Sequence, residues 1–116
     1  MVDRLEAIQN KIFEFRNKRD WEQFHNPKDV ALSLVLEASE VMEHFQWKNQ
    51  TEIKTYVQRN KDEIGEELAD VLYWVLLMSH NLEINILEAL EMKLIKNEHE
   101  YPIEKSKGKH IKYDKL

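Results

Sequence analysis

Two pairs of carboxylates stand at three-residue spacing in this chain: Glu37 with Glu40, and Glu67 with Asp70. At about 100° per residue, an i, i+3 pair projects from one side of a helix. Each pair lies beside an apolar stripe rather than opposite it. The first stripe is Val30, Leu34, Ala38, Val41 and Phe45; the second is Ile64, Leu68, Val71, Val75, Met78 and Leu82. Ser33 and His44 share the first acidic edge, and Glu63 and Trp74 share the second. Carboxylates at the margin of a core are costly unless they are paired or bound to metal, and no lysine or arginine fills either edge. Two facing pairs of hard oxygen donors suit a divalent cation held between the helices. Mg²⁺ takes such oxygens and completes its shell with water and substrate phosphates. The alternative is an ordinary solvated acidic face, since 22 Asp and Glu produce such spacings by chance. A carboxylate-bridged di-iron centre would use Glu-x-x-His on helices. The one such spacing here, Glu22 to His25, falls in a connector and argues against it.

The elements that must position these groups follow helical periods. Leu5, Ile8, Ile12 and Phe15 set the stripe of a first helix, with Asp3 able to cap it and an end near Arg19-Asp20. Trp21 to His25 forms a short aromatic connector. Asn26-Pro27 reads as an N-cap followed by proline at the first helical position, opening a second helix to about Trp47. Lys48 to Thr51 breaks it, and the polar stretch Glu52 to Arg59 fits either a short helix or part of a mobile connection. A third helix is predicted from near Lys61 to about Asn81. Its segment Val71 to Met78 is apolar all round, so a second subunit is expected to cover it. Asn85 caps a fourth helix to about Glu100, with Ile86, Leu90 and Leu94 inward, and Tyr101-Pro102 stops it. Residues 1–102 are read as the helical domain and 103–116 as an extended basic tail.

Composition narrows the class. A chain of 116 residues is one domain on size alone. The absence of cysteine excludes a disulfide scaffold, a thiolate zinc site and a cysteine nucleophile. Two glycines and two prolines are too few for a turn-rich all-β domain or a glycine-rich phosphate loop, which leaves an all-α fold. The net charge of −5 excludes binding of polymeric nucleic acid by bare electrostatics. Five lysines in the tail against Glu104 and Asp114 give +3, so the preceding residues carry −8. Such a body can still handle a polyanion if cations mediate the contact. The longest apolar run is eight residues and no signal segment opens the chain, so a cytoplasmic protein with no membrane partner is expected.

The ordered motifs are similar to those of the all-α nucleoside triphosphate pyrophosphohydrolases, the MazG-like superfamily, and within it to the dCTP pyrophosphatase branch. Glu37-Ala38-Ser39-Glu40 and Glu67-Leu68-Ala69-Asp70 resemble its ExxE and ExxD. The run Arg19 to His25 resembles its RDWxQFH segment, and Phe45-Gln46-Trp47 its FQW. Asn97 with Tyr101-Pro102 resembles its N-x-x-x-YP. Lys105-Ser106-Lys107-Gly108 with Lys112-Tyr113 resembles the terminal segment of related sequences. The resemblance covers nearly the whole chain. Trp74 departs from it, standing where the branch commonly has tyrosine. His44 is an unusual neighbour for Glu40, either tuning that acid or simply a partly exposed helix residue.

The resemblance implies a four- to five-helix bundle assembled as a homo-oligomer, with a tetramer built as a dimer of dimers favoured over a dimer. It implies Mg²⁺-dependent hydrolysis of a dNTP, dCTP or a modified dCTP first, to the monophosphate and pyrophosphate, as nucleotide-pool house-cleaning. Glu37, Glu40, Glu67 and Asp70 would be the metal ligands, with Glu40 and Glu37 the catalytic carboxylates and Glu40 nearest the attacking water. Trp21, His25 and Trp47 would form the base pocket, with Gln23 and His25 offering edge hydrogen bonds. Trp74 would meet the sugar, Asn97 the sugar or phosphate, and Lys107 on the tail the triphosphate. The rivals are an all-α dUTPase, a phosphoribosyl-ATP pyrophosphohydrolase, and a non-catalytic helical oligomerisation module.

Overall fold

A computed structural model describes residues 3–116. Among these it holds six α-helices and no strand: α1 Arg4–Lys18, α2 Pro27–Glu43, α3 Gln50–Arg59, α4 Lys61–Asn81, α5 Ile86–Glu100 and α6 Ile103–Ser106. Among the described residues, no helix is long and apolar enough to cross a membrane. The chain groups into two compact units, one running to Glu83 and one from Ile84 to Leu116.

In the first unit α4 is the central element, with α2, α1 and α3 each packed against it. The core is small. Val30 on α2 and Leu76 and Leu77 on α4 are its fully buried apolar side chains. All the buried residues of α4 lie in its last turns, where Ser79 also turns its hydroxyl back to the Val75 carbonyl at 2.6 Å. This bond satisfies a hydroxyl that burial would otherwise leave costly.

The helix boundaries have local causes. Asn26 accepts from the Asp29 amide at 2.9 Å, and Pro27 occupies the first helical position, where its missing N–H costs nothing. Asp3 stands at the N-cap position of α1 through its backbone, but its side chain makes no capping bond, contrary to the expectation. The ambiguous stretch is a helix because Asn49 and Glu52 form a capping box. Asn60 ends α3 and begins α4, and its amide donates to the Tyr56 carbonyl at 2.9 Å. The first turn of α4 therefore has no side-chain cap, although Asp62 and Glu63 complement its dipole.

The second unit begins with α5, capped as expected by Asn85 on the Glu88 amide. Tyr101 and Pro102 stop it, but the chain beyond is not simply extended. The Pro102 carbonyl accepts from Lys105 and Ser106, which closes α6, and a 3-10 turn follows at Tyr113–Lys115. Tyr113 meets Tyr101 edge-on at 6.0 Å between centroids, an aromatic contact that gives these residues a place to fold against. Several residues expected to face inward remain largely exposed: Ala38 on α2, Leu68 on α4, and Leu90 and Leu94 on α5.

Candidate active site

The site is assembled by α2 and α4. Glu37, Glu40, Glu67 and Asp70 each offer an oxygen, and these oxygens all lie within 4.8 Å of one another. Four like charges so close disfavour full ionisation. Glu37 is raised above the ordinary glutamate range, first by burial, then by a hydrogen bond to Glu40 and the charges of Glu40, Asp70 and Glu67. Glu67 is raised first by its hydrogen bond to Glu40, then by burial and its acidic neighbours, with His44 acting in the opposite sense. Glu40 is thus a cause of the upward shift at both Glu37 and Glu67.

These residues fit a divalent cation. Oε2 of Glu37 is buried with no hydrogen-bond partner, an expensive state that a bound cation would relieve. The donor set is all carboxylate oxygen, which suits a hard ion rather than a soft one. A cluster able to hold a metal is therefore present.

Glu37 and Asp70 also line a cleft of about 550 Å³ whose other walls are largely aromatic and aliphatic. Trp21, Tyr73 and Trp74 contribute from the connector and α4, and Ile8, Lys11, Ile12 and Phe15 from one face of α1. Trp21 reaches the cleft because of how α1 ends. Its amide bonds to the Arg16 carbonyl at 3.2 Å while the Asp20 amide bonds to Asn17 at 3.1 Å, a Schellman closure. This places Asp20 at φ 54°, a left-handed conformation that aspartate tolerates better than most residues. Gln23 locks that turn, donating to both the carbonyl and the carboxylate of Asp20. Its amide nitrogen is engaged there, which explains its place in the connector.

His25 packs edge-on against Trp74 at 5.4 Å between centroids. Burial lowers its pKa, and Arg16 lowers it further against the opposing effect of Glu22. Its Nδ1 is buried without a partner, so the ring offers an unused polar atom beside the indole of Trp74. Arg16 organises this end of the unit. It is 3% exposed, donates to Asn81 Oδ1 at 2.8 Å and stands 4.0 Å from the Glu22 carboxylate. Tyr73 is raised by its burial, with Arg16 and Arg19 opposing.

Of the other sequence-nominated residues, Trp47 is 84% exposed and is not among the cleft-lining residues. Asn97 lies on α5, where its carbonyl accepts the Tyr101 amide, and Lys107 ends α6; both belong to the second unit. Sequence reasoning missed Lys11, Phe15 and Tyr73 as cleft residues. Lys11 sits among the apolar positions of α1, and that interruption of the stripe was the available signal.

The family profile described as MazG-like matches residues 32–116. The chain belongs to the MazG-like family. It is 36% identical to dCTP pyrophosphatase 1 of Mus musculus over 114 residues, which covers 97% of this chain and 67% of that protein. The Homo sapiens dCTP pyrophosphatase 1 is 34% identical over the same length, again covering 97% and 67%. The crystal structure of a pyrophosphatase from Archaeoglobus fulgidus matches with a TM-score of 0.84 at 38% identity, covering 88% of this chain and 95% of that one.

Proposed function

We propose that this chain hydrolyses a deoxynucleoside triphosphate, dCTP or a modified dCTP first, to the monophosphate and pyrophosphate with Mg²⁺, and so cleans the cytoplasmic nucleotide pool. That it is a nucleoside triphosphate pyrophosphohydrolase follows from its family and from relatives named dCTP pyrophosphatase 1. The observation that carries the finer reading is one cleft with carboxylates and aromatic rings on its walls, Glu37 and Asp70 together with Trp21 and Trp74. Aromatic faces stack on bases and tolerate several of them, while the acid cluster addresses phosphate through cations.

Glu37, Glu40, Glu67 and Asp70 would hold Mg²⁺, which supplies charge neutralisation and lowers the pKa of bound water. Glu40, whose carboxylate oxygen lies within 4.8 Å of those of the other three acids, would accept the proton of the water that attacks the α-phosphorus, with Glu37 assisting. Trp21 and Trp74 hold the base and sugar, and His25 offers an edge hydrogen bond. Truncating Trp21 or Trp74 to alanine is expected to raise KM by ~10-fold or more, the cost of one lost stacking partner. Steady-state kinetics at saturating Mg²⁺ checks this, and an unchanged KM in both variants would remove the aromatic pocket from the reading.

The chain is proposed to act as a homo-oligomer, a tetramer before a dimer. Leu32, Val35 and Leu36 on α2 and Leu68 and Leu72 on α4 each keep more than half of their surface exposed. Stripes of this kind are costly in water. A solution mass of 14.0 kDa, a single chain, would refute the assembly. The substrate test is pyrophosphate release from canonical and modified dNTPs, with and without Mg²⁺. Release from dCTP or its modified forms, dependent on the metal, is expected. Strict preference for dUTP would make it an all-α dUTPase, and activity on phosphoribosyl-ATP with none on dNTPs would place it with that hydrolase. Inactivity throughout would defeat the proposal.

A further inference from the structure

We propose that Arg16 is a positioning residue for the nucleotide cleft. Its guanidinium ties the connector at Glu22 to Asn81 at the end of α4, and so holds Trp21 and His25 against the wall that carries Trp74. This rests on the reading of Trp21 and Trp74 as the base and sugar pocket.

Arg16 is 3% exposed, and arginine is almost never so buried unless its charge is engaged. Its side-chain nitrogens go three ways. Nη1 donates to Asn81 Oδ1 at 2.8 Å, Nη2 stands 4.0 Å from Glu22 Oε1, and Nε donates to Asn17 Oδ1 at 3.4 Å. Its carbonyl accepts the Arg19 and Trp21 amides, each at 3.2 Å. One residue therefore joins the last turn of α1, the connector and the end of α4. The connector's own backbone bonds are local: the Phe24 amide donates to the Trp21 carbonyl and the His25 amide to the Glu22 carbonyl, both at 3.0 Å. They shape the turn, and the Arg16 fork fastens it to α4. A planar guanidinium can hold two partners at once in fixed directions, which a lysine ammonium does not do. From Glu22 the turn leads to His25, whose ring meets Trp74 at 5.4 Å; from the Arg16 carbonyl it leads to Trp21 on the cleft wall. Beside the anchor, Phe13 of α1 stacks on His80 of α4 at 3.8 Å. Arg16 is not among the cleft-lining residues, so it acts through those that are.

The test is steady-state hydrolysis, by the full-length protein at saturating Mg²⁺, of the dNTP it cleaves fastest, with thermal melts and Mn²⁺ titration alongside. Arg16→Met keeps an apolar stem and removes the fork. It is expected to raise KM by roughly 10-fold, the scale of one displaced stacking partner. Loss of a binding contact alone leaves kcat nearly unchanged. Little change in Tm is expected, because an apolar side chain in place of a buried charge is often neutral. Mn²⁺ affinity is expected to hold, since Asn81 lies about 16 Å along α4 from Asp70. Glu22→Gln alters an exposed side chain and tests the same link if Arg16→Met fails to fold; it is expected to raise KM by roughly 2- to 5-fold. The double variant should be no worse than Arg16→Met, because both act through one link. An unchanged KM in these variants, while Trp21→Ala raises it, would overturn the proposal. So would a fall in kcat and Mn²⁺ affinity that tracks a loss of Tm, the mark of a purely structural arginine. An unchanged KM in both Trp21→Ala and Trp74→Ala would instead overturn the pocket reading and this inference together.

Discussion

Asp70→Ala is expected to lower the rate of pyrophosphate release on the order of 10²- to 10³-fold, the loss that follows removal of one preorganised electrostatic contact to a reacting centre. The same substitution leaves the metal-free protein as stable as before or more so. Both directions come from one geometry. Asp70 adds its charge to those that push Glu37 and Glu67 above their ordinary range, so its removal relieves repulsion in the apo fold. It also contributes one of the four oxygens gathered within 4.8 Å, so a cation held there would lose a ligand. Glu40→Gln is expected to behave alike in rate, since Glu40 too contributes one of the four gathered oxygens. Paired kinetics and thermal melts check the opposition. Activity within a few-fold of the unaltered protein would show that the cluster is only a solvated face.

Removing a divalent cation from the cluster is expected to produce the second large effect, and pH should expose its cause. Glu37 and Glu67 hold their protons more tightly in the folded chain than an ordinary glutamate near 4.5 does. The folded state therefore binds more protons than the unfolded one. The stability these two groups contribute is fully present below the ordinary value and is lost as pH rises through their raised folded values. Metal-free protein should melt at progressively lower temperature as pH climbs from about 4.5 towards neutrality, through these groups. Saturating Mg²⁺ at neutral pH should reverse the loss, by about 2.7 kcal/mol at a hundredfold excess over Kd. For a domain of this size that is on the order of 10 °C in Tm. Melts with chelator and with Mg²⁺ across that range decide it, and superimposable curves would be incompatible with a cation in the cluster.

What the sequence made legible followed local rules. Asn26-Pro27 and Asn85 announced the starts of α2 and α5, because caps and N1 proline act within one turn. The acid quartet was legible because its members share i, i+3 spacing on two long periodic helices. Helix α3 was not, although Asn49 and Glu52 already formed its start signal, because its polar composition masked the amphipathic pattern. Tail structure was obscured for a different reason: it depends on Tyr113 meeting Tyr101, a contact between residues twelve apart. The same limit hid Lys11 and Tyr73 in the cleft and the burial of Arg16 against Asn81, 65 positions away. Trp47 shows the converse. Its motif is specific, yet its ring stands in solvent, since nothing local dictates what an aromatic side chain will meet.

Helix α4 opens without a side-chain cap and keeps its buried residues for its final turns. Its resistance to local opening must therefore increase along its length, with the start least protected against amide exchange and the end tied to the global fold. Glu67 and Asp70 sit between those regimes. A cation held by Glu67 and Asp70 would thus bind on the stretch between the lightly held beginning of one helix and the packed end that holds the unit together.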